Sequence, residues 1–178
     1  MNPFAEGLKQ YRLEKEQEFL TIDRYEKLGF KKVANIDICY GDGWLFKEMD
    51  AGLMYSDHRS WVYLIVVSGI VYKIGETGNP LGIKSKTHSQ PVSGTTSRMG
   101  RLANHSGSYS DTDVRLRRNL KESVSAGLVE LWAFKCPIDE ADVCGFSLKR
   151  TVHKDLELSL IRYLDERDAL PVGNLAVK

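Results

Sequence analysis

The densest apolar stretches of this chain are Trp61–Val67 and Ile70–Glu76, two runs of β-branched and aromatic residues separated by Ser68-Gly69. Runs of that length and composition around a turn dipeptide predict a β-hairpin. A polar, Gly/Pro/Ser-rich stretch over 77–95 follows. The pattern then predicts a short helix from Ser97 to His105, a Ser/Gly loop, and a helix from Thr112 to Ala126 that Gly127 can close. A third strand is expected over Leu128–Phe134, a loop over 136–150, and a last helix over Val152–Arg167. Before the hairpin, residues 4–32 carry apolar positions at helical spacing (Phe4, Leu8, Tyr11, Leu13, then Phe19, Leu20, Tyr25, Leu28), with Thr21 as an N-cap and Gly29 as a stop. Residues 33–60 are mixed, with a turn at Gly41-Asp42-Gly43. The order predicts an α+β fold. It comprises a small three-stranded antiparallel sheet flanked by helices (61–178) and an N-terminal helical arm (1–60) with no assigned role.

The loop length of the hairpin decides which side chains share a face. A two-residue loop sets Lys73 among Val62, Leu64 and Val66. A three-residue loop, Val67-Ser68-Gly69, sorts Val62, Leu64, Val66, Ile70, Tyr72 and Ile74 onto one apolar face and Tyr63, Ile65, Val71 and Lys73 onto the other. The second sorting separates apolar from polar more cleanly and is the expected one. It puts Tyr63 opposite Lys73.

Composition adds little until it is divided along the chain. The 178 residues carry a net charge of +1. Residues 1–60 hold 9 basic and 11 acidic side chains, 61–121 hold 9 and 3, and 122–178 hold 7 and 10. The central excess suits a polyanion, although a solvated charged face gives the same count. Cys39, Cys136 and Cys144 include no Cys-x-x-Cys pair, which favours reduced structural thiols over a disulfide framework or a zinc knuckle. No apolar run is long enough to span a bilayer, and the start of the chain has no signal-peptide pattern, so a soluble cytoplasmic protein is expected.

Trp61-Val62-Tyr63, followed about ten residues later by Lys73-Ile74-Gly75, resembles the paired motif of the GIY-YIG nucleases, with Trp61 in place of the first glycine and Lys73 in place of the second tyrosine. The lysine form is similar to a branch of small GIY-YIG type II restriction endonucleases. Further matches follow in the family's order. Arg101-Leu102-Ala103-Asn104-His105 resembles its arginine helix, Glu157 its metal-binding glutamate, and Pro171-Val172-Gly173-Asn174 the segment of its terminal asparagine.

The resemblance implies phosphodiester hydrolysis with Tyr63 as general base, Lys73 tuning it, Arg101 on the scissile phosphate, and Glu157 holding Mg²⁺ or Mn²⁺. A cation beside a tyrosine favours its phenolate, and a guanidinium fork fits two phosphate oxygens. His105, four residues after Arg101, shares its helix face and would orient water, share proton transfer or bind phosphate, unless it is a cap or surface residue. Glu157 lies beside the apolar stripe Leu160, Ile161 and Leu164, where a carboxylate is paired or metal-bound, with an ion pair to Arg101 or Lys154 as the other reading. Lys84, Lys86, Arg98, Arg115, Arg117, Arg118 and Lys121 are expected to contact DNA, and Asn174 to hold backbone or another site residue.

Glu76 departs from the family's basic or polar residue and has no assigned role. Three functions stay open: a sequence-specific restriction endonuclease cutting double-stranded DNA as a homodimer or higher homo-oligomer, a phage or homing nuclease of the same chemistry, and a DNA-binding protein that kept the fold without catalysis. No membrane partner or nucleotide cofactor is expected.

Overall fold

The structure is a computed structural model describing residues 7, 10–12, 18–38, 44–86, 89–91, 97–100 and 129–174. The expected helix over Thr112–Ala126 and the turn at Gly41-Asp42-Gly43 lie outside the described residues. No helix among them is long and apolar enough to cross a membrane.

The fold is α+β, and its sheet is wider than the expected three strands. Among the described residues five antiparallel strands run in the order β2-β1-β5-β3-β4, with β1 at Lys31–Ile38, β2 at Trp44–Lys47, β3 at Trp61–Val67, β4 at Ile70–Thr77 and β5 at Val129–Lys135. The correction comes from residues 31–47. They join the sheet through β1, which pairs with β5 from Lys31↔Ala133 to Ile36↔Val129. A segment expected as a helical arm thus supplies two strands of the core. Helix α1, Ile22–Lys27, precedes them and stops where Gly29 takes φ +96°, a conformation that glycine adopts without penalty. Its N-cap Thr21 makes no side-chain capping bond.

Both faces of the sheet are covered, so both faces of the β3–β4 hairpin are buried. One face packs Trp61, Tyr63, Ile65, Val67, Ile70 and Tyr72 with Ile36, Phe46, Leu81 and Met99, and short helix α2 (Ala51–Met54) adds Met54. The other packs Val62, Leu64, Val66, Val71 and Ile74 against Tyr25, Phe30 and Leu164. Helix α3, His153–Asp165, brings Leu156, Leu160 and Leu164 to that second core. Full burial of one such side chain is worth about 1.5–3 kcal/mol, so β3 is among the most strongly held segments of the chain.

The hairpin corrects the expected register. Val67 pairs with Ile70, leaving a two-residue loop whose Ser68 and Gly69 both have positive φ (52° and 79°). A two-residue loop with that conformation matches the twist of the strands it joins. A β-bulge then inserts Tyr72: Ile65 faces Lys73, whereas Val66 faces Val71. The extra residue lets Tyr72 and Lys73 share the face of Tyr63 and Ile65. Tyr63 therefore pairs with Gly75 rather than with Lys73, which is its diagonal neighbour on that face.

The segment expected as a loop over 136–150 is a second, separate hairpin of β6 (Ile138–Val143) and β7 (Phe146–Thr151). Its alternation is too polar to announce strands. The two edges of the main sheet are closed alike. At β2, Gln90 accepts from Phe46 N at 2.7 Å and donates to Phe46 O at 2.9 Å. At β4, Asn174 accepts from Ile74 N at 2.7 Å and donates to Ile74 O at 2.8 Å.

Candidate active site at the edge strand

Strand β4 positions most of the candidate chemistry. Gly75 is required there by its partner across the hairpin. A Cβ on Gly75 would stand 2.5 Å from Tyr63 Oη and 3.0 Å from Cε1, so the tyrosine ring lies flat over a position with no side chain. That fixes the phenol, which is 2% exposed. A hydroxyl so buried costs about 1–3 kcal/mol if left without a partner. Arg98 meets it, with Nε donating to Tyr63 Oη at 3.0 Å and Cζ 5.8 Å from the ring centroid. Residues 97–100 are tied beneath it, because Ser97 Oγ donates to Leu81 O and accepts from Gly100 N. Arg98 was expected as a DNA contact; the geometry sets it on the tyrosine hydroxyl.

Lys73 is 7% exposed and sits at the bulge. The 3-10 turn Val172–Asn174 presses on the same place, and a Cβ on Gly173 would fall 2.7 Å from Tyr72 O and 3.0 Å from Lys73 Cβ. Asn174 thereby reaches Ile74, between Lys73 and Gly75, and holds the strand that carries them.

Glu157 projects from the second turn of α3 and is half-buried. Burial, and then the charge of Glu76, push its carboxyl above the usual carboxylate range, while the Lys73 ammonium pulls it down. Two carboxylates and an ammonium thus share one electrostatic neighbourhood. Glu76, whose presence sequence alone did not explain, also faces a histidine. His153 Nε2 is 3.2 Å from Glu76 Oε2 but outside hydrogen-bond geometry, and His153 Nδ1 is 3.2 Å from Ser60 Oγ. His153 is 4% exposed and Ser60 is fully buried. Gly78 lies against the same ring, since a Cβ there would be 3.2 Å from Nε2. This Ser60–His153–Glu76 array was not among the candidates. The available signal was spacing: His153 is four residues before Glu157 and shares its helix face.

Tyr63, Lys73 and Arg98 thus gather on one face of the hairpin, Asn174 holds the edge of β4, and Glu157 reaches the strand from α3 with Glu76, within the electrostatic range of Lys73. Lys84 and Lys86 are exposed on the loop that follows it. Arg101, His105, Arg115, Arg117, Arg118 and Lys121 lie outside the described residues.

The donor set fits a hard divalent cation in one respect. Glu157 and Glu76 both offer carboxylate oxygens, and the charge of Glu76 disfavours that of Glu157, a situation that a cation relieves. No group of three or more His, Cys, Asp or Glu side chains gathers as a metal cluster among the described residues. A cation held here would complete its shell with water and phosphate oxygens, the habit of Mg²⁺.

No protein family and no curated protein sequence matches the chain. Among solved structures it is similar to the restriction endonuclease HPY188I in complex with product DNA, at 16% identity over 93% of this chain and 91% of that one, with a TM-score of 0.49. It is also similar to a variant of bacteriophage T4 EndoII, at 13% identity over 88% of this chain and 99% of that one, with a TM-score of 0.51. The second likeness spans nearly the whole of both chains, and it is one of fold.

Proposed function

We propose that this protein is a metal-dependent DNA endonuclease of the GIY-YIG type, used as a sequence-specific restriction enzyme on double-stranded DNA. The observation that carries the reading is the fixed Tyr63, laid over Gly75 with Arg98 on its hydroxyl and on the face of Lys73, whose ammonium also acts on the half-buried Glu157. The fold shared with T4 EndoII supports the endonuclease class.

In this reading Tyr63 takes the proton of the attacking water. Arg98 and Lys73 are the cations that favour its phenolate, and Arg98 makes the direct contact. Arg101 and His105 keep the roles that the family resemblance gives them, on the phosphate and the water. Glu157, with Glu76 beside it, would hold the divalent cation, which when bound neutralises charge on the leaving oxygen.

The test is a plasmid digest. Cutting is expected with Mg²⁺ or Mn²⁺ and not with EDTA, as discrete bands rather than a smear. Tyr63→Phe should lower the rate by about 10²–10⁴-fold, the usual worth of a general base, with DNA binding nearly unchanged. Cleavage that survives EDTA sinks the metal assignment, and a Tyr63→Phe variant that cuts at the parental rate sinks the site.

A further inference from the structure

We propose that the β6–β7 hairpin is the surface through which two copies of this chain associate, by stacking one face of the hairpin on the same face of a second copy about a two-fold axis.

Every residue from Asp139 to Arg150 is exposed, and apart from an ion pair of Arg150 with Asp155 of α3 at 3.7 Å neither strand packs substantially against another described element. The hairpin is nevertheless amphipathic. Cross-strand pairs alternate between its faces: Val143↔Phe146 and Ala141↔Leu148 lie on one, with Asp139↔Arg150 at its base. Glu140↔Lys149 and Asp142↔Ser147 lie on the other, where Lys149 Nζ meets Glu140 Oε1 at 2.8 Å. The first face leaves Phe146 71%, Leu148 53% and Val143 48% exposed. An apolar face of contiguous large side chains marks an interaction site more often than single surface residues do.

Charge selects the occupant. The hairpin carries Asp139, Glu140 and Asp142 against Lys149 and Arg150, a net −1, which disfavours a phosphate backbone. Its acids all lie on β6 and its bases all on β7. A two-fold axis parallel to the hairpin, between two stacked faces, sets β6 of one copy over β7 of the other. Val143 then meets Phe146 of the other copy, Ala141 meets Leu148, and Asp139 meets Arg150, each contact made twice. This is the self-complementarity of an isologous interface. The turns, each with an exposed Cys144, come side by side. A face of four apolar side chains is smaller than the roughly 800 Å² per partner of a standard interface, so the association is expected in the micromolar range.

Sedimentation velocity of the full chain without DNA, from low to high micromolar concentration, tests this apart from any cleavage. The parent should pass from monomer to dimer. The Phe146→Asp/Leu148→Asp double variant should stay monomeric with an unchanged circular dichroism spectrum, because the substituted positions are exposed. Asp139→Arg should weaken the dimer about tenfold or more, and adding Arg150→Asp should restore it. A short bis-maleimide should join two parent chains through Cys144 and fail on Cys144→Ser. A parent that is monomeric throughout, a dimer indifferent to Phe146→Asp/Leu148→Asp, or a charge swap without rescue overturns the proposal. So does a monomeric parent whose DNA affinity falls in the double variant, which would give the face to DNA.

Discussion

The two hairpins of this molecule are built on one turn and put to opposite uses. Ser68-Gly69 and Cys144-Gly145 have nearly the same backbone, with φ of 52° and 79° in the first and 55° and 81° in the second. Between Trp61 and Gly75 every side chain but those of the turn is buried; between Asp139 and Arg150 every one is exposed. Turn geometry thus fixes that a hairpin forms and says nothing about where it goes. That is decided by strand composition, Trp-Val-Tyr-Leu-Ile-Val-Val against Ile-Asp-Glu-Ala-Asp-Val. The buried hairpin holds a phenol in one place because its neighbours leave it little room. The exposed one offers surface.

Glycine substitutions should separate the two most sharply. Gly75→Ala drives a methyl into the Tyr63 ring, and if Tyr63 acts as proposed, displacing it by even 1 Å is worth about 10²-fold in rate. The variant should lose cleavage by that factor, with a lower melting temperature; normal cutting would mean that the ring has room to move. Asn174→Ala should come next. It strips two hydrogen bonds from Ile74 at the middle of the buried hairpin's free side, at about 1–3 kcal/mol, measurable as a lower urea midpoint with unchanged m.

Glu157→Gln should have a smaller effect on stability, of opposite sign. The folded carboxyl binds its proton more tightly than the unfolded one, so its favourable contribution is complete below the unfolded pKa of about 4.3 and is lost as pH rises through the folded value. At neutral pH the ionised carboxylate is a net liability. The glutamine variant should melt slightly higher than the parent at pH 7, with the gap closing toward pH 4. Mg²⁺ should raise the melting temperature of the parent alone. The least effect is expected from Gly145→Ala. Its strain at φ +81°, with nothing within 4 Å, is confined to a hairpin outside the main sheet, so global melting should not move. A large shift there would show that the exposed hairpin supports the core.

Much of the buried hairpin was legible in the sequence, and almost none of the exposed one. Strands β3 and β4, the third strand and the last helix follow from apolar alternation and spacing. The bulge at Tyr72 was not legible. Alternation presumes one residue per partner, and a bulge suspends that rule for one step, so the shared face of Tyr63 and Lys73 was expected from a loop length that the chain does not use. Strands β1 and β2 were missed because residues 33–47 mix polar and apolar positions without a clean period. Arg98 shows a limit of another kind. Motif spacing favoured Arg101 for the site chemistry, and only the fold could reveal that Arg98 is bonded to the tyrosine. The partnership of Ser60, His153 and Glu76 spans 93 residues in sequence, beyond the reach of any local pattern.

The paired carboxamides at the sheet's two borders have a consequence for the protein's behaviour in a crowded solution. An open strand is a template on which another chain can add itself, and sheets that expose one risk assembling into fibres. Gln90 and Asn174 each act as a single-residue imitation of a further strand, occupying one N–H and one C=O in the middle of the border. Near the turn of β4 the backbone of Ile22 takes Gly69 O as well. The sheet is terminated rather than interrupted, and an incoming strand finds the central rung of each border already taken.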